Sequence, residues 1–267
     1  MRRASPAFDP AVVQHVPPKL ILCTGVVRSG STWSFNVCRQ LGMLLAGARG
    51  EPFTSTYIGE LELEQLVAGY VEKLAGPTVL KAHAVGPVAV AAVRAGRVRA
   101  VCTFRDPRDC VASDLTFLGW PFDAVVRRVG ENLAYLGYYR AARHALFVRY
   151  EEMIVDPLPQ LARIAAHLGV DADDAELRRI DAATDLPSSR AVCAALADRP
   201  AEELVWSQTH RVDPATQLHE NHIHSGRVGR WRDELTADQQ EQLTAAFHPW
   251  LVELGYEPAE AGAAAYG

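Results

Sequence analysis

The stretch Lys19-Leu-Ile-Leu-Cys-Thr-Gly-Val-Val-Arg-Ser-Gly-Ser-Thr-Trp33 decides the fold. Residues 19–24 form a short, unbroken apolar run, the mark of a strand buried on both faces. Residues 25–31 read as a loop, and a helix follows from Thr32 to about Leu45. Strand, then Gly25-x-x-x-x-Gly30-Ser31-Thr32, then helix is the layout of a phosphate-binding loop. Glycines let the backbone approach an anion, and the amides at the helix N-terminus point at it. A Walker loop carries Lys after its second Gly. Here that position is Ser31, and the loop cation is Arg28. This argues against ATP or GTP γ-phosphate chemistry and keeps a cradle for another phosphate-like group. A plain glycine turn is the simpler alternative.

Outward from this loop, strand-like and helix-like segments alternate. Helix is expected at about 61–74, strands at 78–81 and 97–104, helices at 109–118 and 121–143, and a strand at 145–149. Beyond Asp156-Pro157 the chain reads as helical to about Ala197, then loop-like from 205 to 231. Thr236-Ala-Asp-Gln239 is a capping box for a last helix that Gly255 ends. Alternating strands and helices predict a parallel sheet covered on both faces, an α/β fold of three layers. No repeat or long linker divides the chain, so one domain spans 1–267, with a loose proline-punctuated leader over 1–17 and a frayed tail over 259–267.

The chain has 267 residues, 27 Lys plus Arg, 32 Asp plus Glu, and a formal net charge of −5. With 49% hydrophobic and 22% charged residues it is an ordinary globular composition, which excludes a disordered chain or a disulfide-stapled scaffold. The acidic balance excludes bulk nucleic-acid binding but not a local anion site. Residues 82–93, the longest apolar-looking run, are too short for a membrane span, which takes roughly 20 residues. No apolar secretory segment follows Arg2 and Arg3. Five cysteines without a CxxC fit buried, reduced thiols and a cytoplasmic protein. Ala- and Arg-rich usage suggests a bacterial source.

Four motifs in order give a family resemblance. Val27-Arg-Ser-Gly-Ser-Thr-Trp33 resembles the 5′-phosphosulfate loop of sulfotransferases that use 3′-phosphoadenosine 5′-phosphosulfate (PAPS). Phe104-Arg-Asp-Pro-Arg-Asp-Cys-Val-Ala-Ser113 is similar to that family's 3′-phosphate motif. Arg149-Tyr-Glu-Glu-Met-Ile-Val-Asp-Pro157 is similar to its tyrosine segment, and Ser225-Gly-Arg-Val-Gly-Arg-Trp231 to its late glycine loop. Together they cover residues from about 20 to 235. The resemblance implies a P-loop-like fold and transfer of a sulfuryl group from PAPS to a hydroxyl or amine of a small molecule. The product would be 3′,5′-adenosine bisphosphate, with no metal needed; a homodimer is left open.

The resemblance assigns Arg28, Ser29, Gly30, Ser31 and Thr32 to the phosphosulfate, Trp33 to adenine stacking, Arg105 and Ser113 to the 3′-phosphate, and Tyr150 to the nucleotide. From the residues alone, Arg105 can instead pair with Asp106 or Asp109, and Trp33 and Tyr150 can be core residues. The late loop departs from the family's Arg-Lys-Gly: His224-Ser225-Gly226 stand there, so Ser225, Gly226 and Arg227 take the role, with Arg227 replacing the missing charge. Arg28, where many members have Lys, acts as a fixed charge and donor.

Transfer needs a base for the acceptor proton. Lys81-Ala-His83 resembles the Lys-x-His segment whose His is the base in cytosolic small-molecule members. Glu51-Pro52-Phe53 resembles the Glu-Pro segment of carbohydrate members. His83 is preferred because a strand-end imidazole needs little tuning; Glu51 is the rival. The tract His219, His222, His224 lacks standard metal-ligand spacing, so His222 or His224 is read instead as lining the acceptor or cofactor pocket. Tyr135, Tyr138 and Tyr139 are read as helix packing, and Arg127 and Arg128 as a solvated face. Acceptor loops are expected at 51–60, 115–125 and 200–224. The alternatives are a kinase, with Asp106 as its Mg²⁺ ligand, and a catalytically silent nucleotide-binding protein.

Overall fold

A computed structural model describes residues 18–258 except 208, 209, 221 and 224. The leader 1–17, the tail 259–267 and His224 lie outside the described residues. Five parallel strands form the sheet: β1 (Leu20–Gly25), β2 (Thr54–Tyr57), β3 (Thr78–Lys81), β4 (Val98–Phe104) and β5 (Ala145–Arg149), in the order β2-β3-β1-β4-β5. The apolar run predicted to be a buried strand is β1, and all six of its residues are buried. Its side chains alternate between faces, as a strand requires. Leu20 and Leu22 join one core, and Ile21 and Cys23 the other.

Helices cover both faces. The first core packs β1, β3 and β4 against α2 (Glu60–Gly69), α3 (Pro87–Arg94), α4 (Pro107–Leu118), α5 (Phe122–Tyr139), α10 (Trp231–Glu234) and α11 (Ala237–Glu253). The second packs them against α1 (Ser31–Arg49), α6 (Tyr150–Val155), α7 (Pro157–Leu168) and α8 (Asp174–Thr184). The fold is the expected α/β sandwich of three layers. α9 (Leu186–Ala195) follows α8. The segment read as loop from 205 contains a small antiparallel pair, β6 (Val205–Ser207) and β7 (His210–Val212).

Local sequence explains most boundaries. Asp106 caps α4 by accepting from the Arg108 amide, with Pro107 in the first turn. Thr236 and Gln239 form the predicted capping box of α11. The expected core tyrosines divide: Tyr139 is fully buried, whereas Tyr138 is exposed. All five cysteines are free and buried. Among the described residues, no helix is long and apolar enough to cross a membrane.

β1 is the centre of the sheet, flanked by β3 and β4. The chain leaves it toward β2 and β3 and later returns to β4 on the other side. Ligands of such sheets bind outside the strand C-termini at that switch. The loops after β1, β3, β4 and β5 all open there.

Candidate active site

A cavity of about 680 Å³ lies at this edge. Its floor is the loop between β1 and α1. Gly25 has φ 148°, and a Cβ there would stand 2.3 Å from the Thr103 carbonyl oxygen of β4. Only glycine lets the loop turn so close to the neighbouring strand. Arg28 adopts φ 63°, a left-handed conformation that costs a non-glycine residue roughly 1 kcal/mol. Gly30 caps α1 without a side-chain bond, so the first amides of the helix keep their donors for an anion. Gly30, Ser31, Thr32 and Trp33 all line the cavity. Ser29 does not: its hydroxyl bonds the Val26 and Thr103 carbonyls and the Thr103 hydroxyl at 2.6–3.1 Å. Ser29 thus ties the loop to β4 and leaves its assigned ligand role to its neighbours.

The Arg28 guanidinium crosses the cavity. Its Nε donates to Ser113 Oγ at 3.1 Å and its Nη2 to the His222 carbonyl at 3.0 Å, above the Phe117 ring. Burial lowers its pKa. Arg105, only 3% exposed, ends β4 and reaches three elements. Nη2 donates to Asp109 Oδ2 at 3.0 Å and to the Arg227 carbonyl at 2.7 Å, and the guanidinium covers the Tyr150 ring at 4.2 Å. Among the described residues its buried Nε meets no hydrogen-bond partner. A buried guanidinium with an unused N–H on the cavity wall suits a phosphate oxygen.

Asp109 holds the late loop in place. Fully buried, it accepts from Arg105, from the Gly229 amide at 2.7 Å and from the Trp231 amide at 3.0 Å. The pairing of Arg105 with Asp109 therefore occurs inside the site rather than on a solvated surface. Tyr150 begins α6 and donates to the Gly226 carbonyl at 3.2 Å. Ser225 and Gly226 line the cavity, with Gly226 at φ 72°. Arg227 corrects the expectation: it is exposed, pairs with Asp233 at 2.8 Å and only its carbonyl faces Arg105. Arg230 is the late-loop cation on the cavity wall, bonded to Glu234 and Thr116.

His83 follows β3 at the cavity wall. Its Nδ1 stands 3.4 Å from the Gly25 carbonyl oxygen. A carbonyl only accepts, so Nδ1 carries the proton and Nε2 the lone pair. Burial and then Lys81 push its pKa down to about 3, so the ring is neutral. This corrects the idea that it needs little tuning. Lys81, carried in the sequence only as part of its motif, proves central. The last residue of β3, it is 6% exposed and donates to Thr32 Oγ1 at 2.5 Å. Burial, followed by Arg28, lowers its pKa to about 7. A Lys closing an otherwise apolar buried strand was the available signal.

Glu51 is not brought to the site. The 19 residues of α1 carry the chain roughly 28 Å from the phosphate loop. β2 then returns in parallel, pairing Tyr57 with Lys81. Glu51 precedes β2 and packs beside Gly76, at the opposite sheet edge, pairing with Arg49 at 3.7 Å. Asp106, the Mg²⁺ candidate of the kinase alternative, is bound to Arg108 through both carboxylate oxygens and does not line the cavity.

The expected acceptor loops form the other wall. Thr56, Tyr57, Phe117, Val205, Trp206, His210, His219 and His222 line it. Phe117 and His219 stack at 5.0 Å, and His219 meets His222 edge-on at 4.4 Å. Burial lowers both histidines, His219 to about 3. Among the described residues no group of three His, Cys, Asp or Glu is placed to hold a metal. Arg128 corrects another expectation: it pairs with Asp114 at 3.0 Å and lines the cavity rather than a solvated face.

Residues 129–255 match the family model described as "Sulfotransferase domain". That stretch, just under half of the chain, is similar to a sulfotransferase domain. The sulfotransferase match contains Tyr150, α7 to α11 and the late loop. The phosphate loop precedes it in the same cavity. No curated protein matches the sequence significantly. Solved structures do share the fold. Mouse sulfotransferase SULT7A1, complexed with PAP, is 16% identical over 87% of this chain and 84% of its own, with a TM-score of 0.59. Retinol dehydratase, in complex with androsterone and the inactive cofactor PAP, is 15% identical over 88% of this chain and 81% of its own, with a TM-score of 0.58.

Proposed function

We propose that the cavity binds PAPS and transfers its sulfuryl group to a hydroxyl of a small-molecule acceptor. The observation that carries this reading is the convergence of Lys81, Arg28 and Arg105 with the open amides of α1 on one wall. PAP, the 3′,5′-adenosine bisphosphate, has two phosphates, and this wall offers two anion positions. The α1 amides with Lys81 and Thr32 suit the 5′ group. Arg105 with Ser113 suits the 3′ group. Trp33 and Tyr150 offer flat faces for the base. No metal ligand set is needed for these contacts.

In the transfer, His83 Nε2 accepts the acceptor proton as the acceptor oxygen bonds to sulfur. The bond from sulfur to the bridging phosphate oxygen breaks, and its electron pair stays on the phosphate. Lys81, protonated once the anion is bound, and Arg28, a permanent charge, face that growing charge. Arg28 acts by charge and hydrogen bonding, since a guanidinium does not give up its proton. The buried, unpaired thiols support a cytoplasmic place for the protein. Its Ala- and Arg-rich usage supports a bacterial source.

The test is a product screen with PAPS and hydroxyl acceptors, detected by the mass gain of a sulfuryl group. Transfer that depends on His83 and Arg105 is expected. Transfer of phosphate from ATP, with none from PAPS, would overturn the reading.

A further inference from the structure

One carboxylate on the cavity wall has no place in donor binding. Asp114 is fully buried, in α4 directly after Ser113. Its partner is Arg128 of α5, whose Nε stands 3.0 Å from Oδ2. This ion pair engages one edge of the carboxylate, and among the described residues neither Asp114 oxygen meets a well-aligned hydrogen-bond donor. Both residues line the cavity. Buried carboxylate oxygens ordinarily accept hydrogen bonds, and leaving them without any is unfavourable.

The surroundings decide what would satisfy them. Phe117 lies one turn further along α4, beneath the Arg28 guanidinium and stacked on His219. Tyr57 and His83 line the same cavity, and both feel the Arg128 charge. Asp114 thus shares the cavity with His83, between the charges of Arg128 and Arg28. An ammonium there would meet Arg28, Lys81 and Arg128 together. A neutral hydroxyl avoids that repulsion and supplies the missing donor.

We propose that Asp114, held by Arg128, is a specificity-determining residue that selects acceptors carrying a second hydroxyl beside the one that receives the sulfuryl group. This rests on the sulfotransfer reading of the cavity. A compound bearing two neighbouring hydroxyls is therefore the acceptor class. A site built to pair a buried hydroxyl rejects the analogue that lacks it far more strongly than a site that only packs against it.

The experiment uses the full chain saturated with PAP and matched probes: catechol against phenol, and vicinal cyclohexanediol against cyclohexanol. Affinities are read by ligand-observed NMR. PAP binding is measured first, so failure of the donor reading appears there. In the wild type each diol should bind more tightly than its mono-hydroxy partner. Asp114→Ala should reduce that ratio by about tenfold or more. Asp114→Asn keeps the shape and one acceptor oxygen, and should reduce it in the same direction by less. The ratio is the readout, so a general loss of affinity cancels. If PAP binds but no diol does, or if the ratio is unchanged in either variant, the proposal is wrong.

Discussion

Lys81 Nζ donates a 2.5 Å hydrogen bond to Thr32 Oγ1, joining the end of β3 to the first turn of α1. The bond crosses from one strand loop to another and sets an amine at the mouth of the phosphate loop. In a Walker loop that amine would come from the residue after the second Gly. Here it comes from a neighbouring strand.

This placement makes donor binding depend on pH. Burial holds Lys81 near pKa 7 in the free protein, and an anion beside it favours the charged form. Below pH 7 the amine is already protonated, and binding takes up no proton there. Above pH 7 binding must take one up, so PAP affinity should fall by up to tenfold per pH unit. Calorimetry of PAP binding at pH 8 in buffers of different ionisation enthalpy should show uptake of one proton. Lys81→Met should remove both the uptake and the pH slope, and lower transfer by about a hundredfold or more.

Asp109 supports the site from beneath. It accepts from Arg105 and from two amides of the late loop. Asp109→Ala leaves a buried guanidinium and two amides without their partner. A cost of about 3–5 kcal/mol is expected, a fall in Tm on the order of 10 °C for a domain of this size. PAP affinity should fall as well, because Arg105 and the Gly226 segment lose their common anchor. A thermal melt and a PAP titration of the same sample check both.

The two candidate bases make opposite predictions. Glu51→Gln should leave transfer within about twofold of wild type, because its carboxylate stands at the far edge of the sheet. His83→Asn should cut kcat by about a hundredfold or more while PAP still binds. Initial rates with PAPS and one acceptor, alongside PAP affinities, separate the two. A larger loss from Glu51→Gln than from His83→Asn would reverse the assignment.

Much of the scaffold was legible because buried strands carry their signal locally. β3 and β5 run over the predicted residues 78–81 and 145–149, and β1 is displaced by one. β2 escaped because Thr54–Tyr57 is a polar, largely exposed edge strand with no apolar run. α3 escaped because its Pro87–Arg94 stretch is small and apolar almost throughout, and periodicity needs a polar face to be seen. Within the site, the motifs located Arg28, Arg105, Ser113 and Tyr150 on the cavity wall. Side-chain direction was another matter. Arg227 turns to Asp233 and Glu234, and Arg128 turns inward to Asp114. Arg227's partners lie six and seven residues on, across the turn into α10, and Arg128's lies on a different helix, α4. Glu51 was misplaced for a different reason: its motif follows the phosphate loop closely in sequence, but a long straight helix intervenes.

The account turns on the cavity holding a 3′,5′-bisphosphorylated adenosine. The most direct measurement is a calorimetric titration of PAP into the full chain without divalent metal, in parallel with Arg105→Ala. One saturable site per chain is predicted, weakened by about a hundredfold in Arg105→Ala, which loses a buried charge-assisted contact. Absence of PAP binding, together with Mg²⁺-dependent binding of ATP, would contradict it.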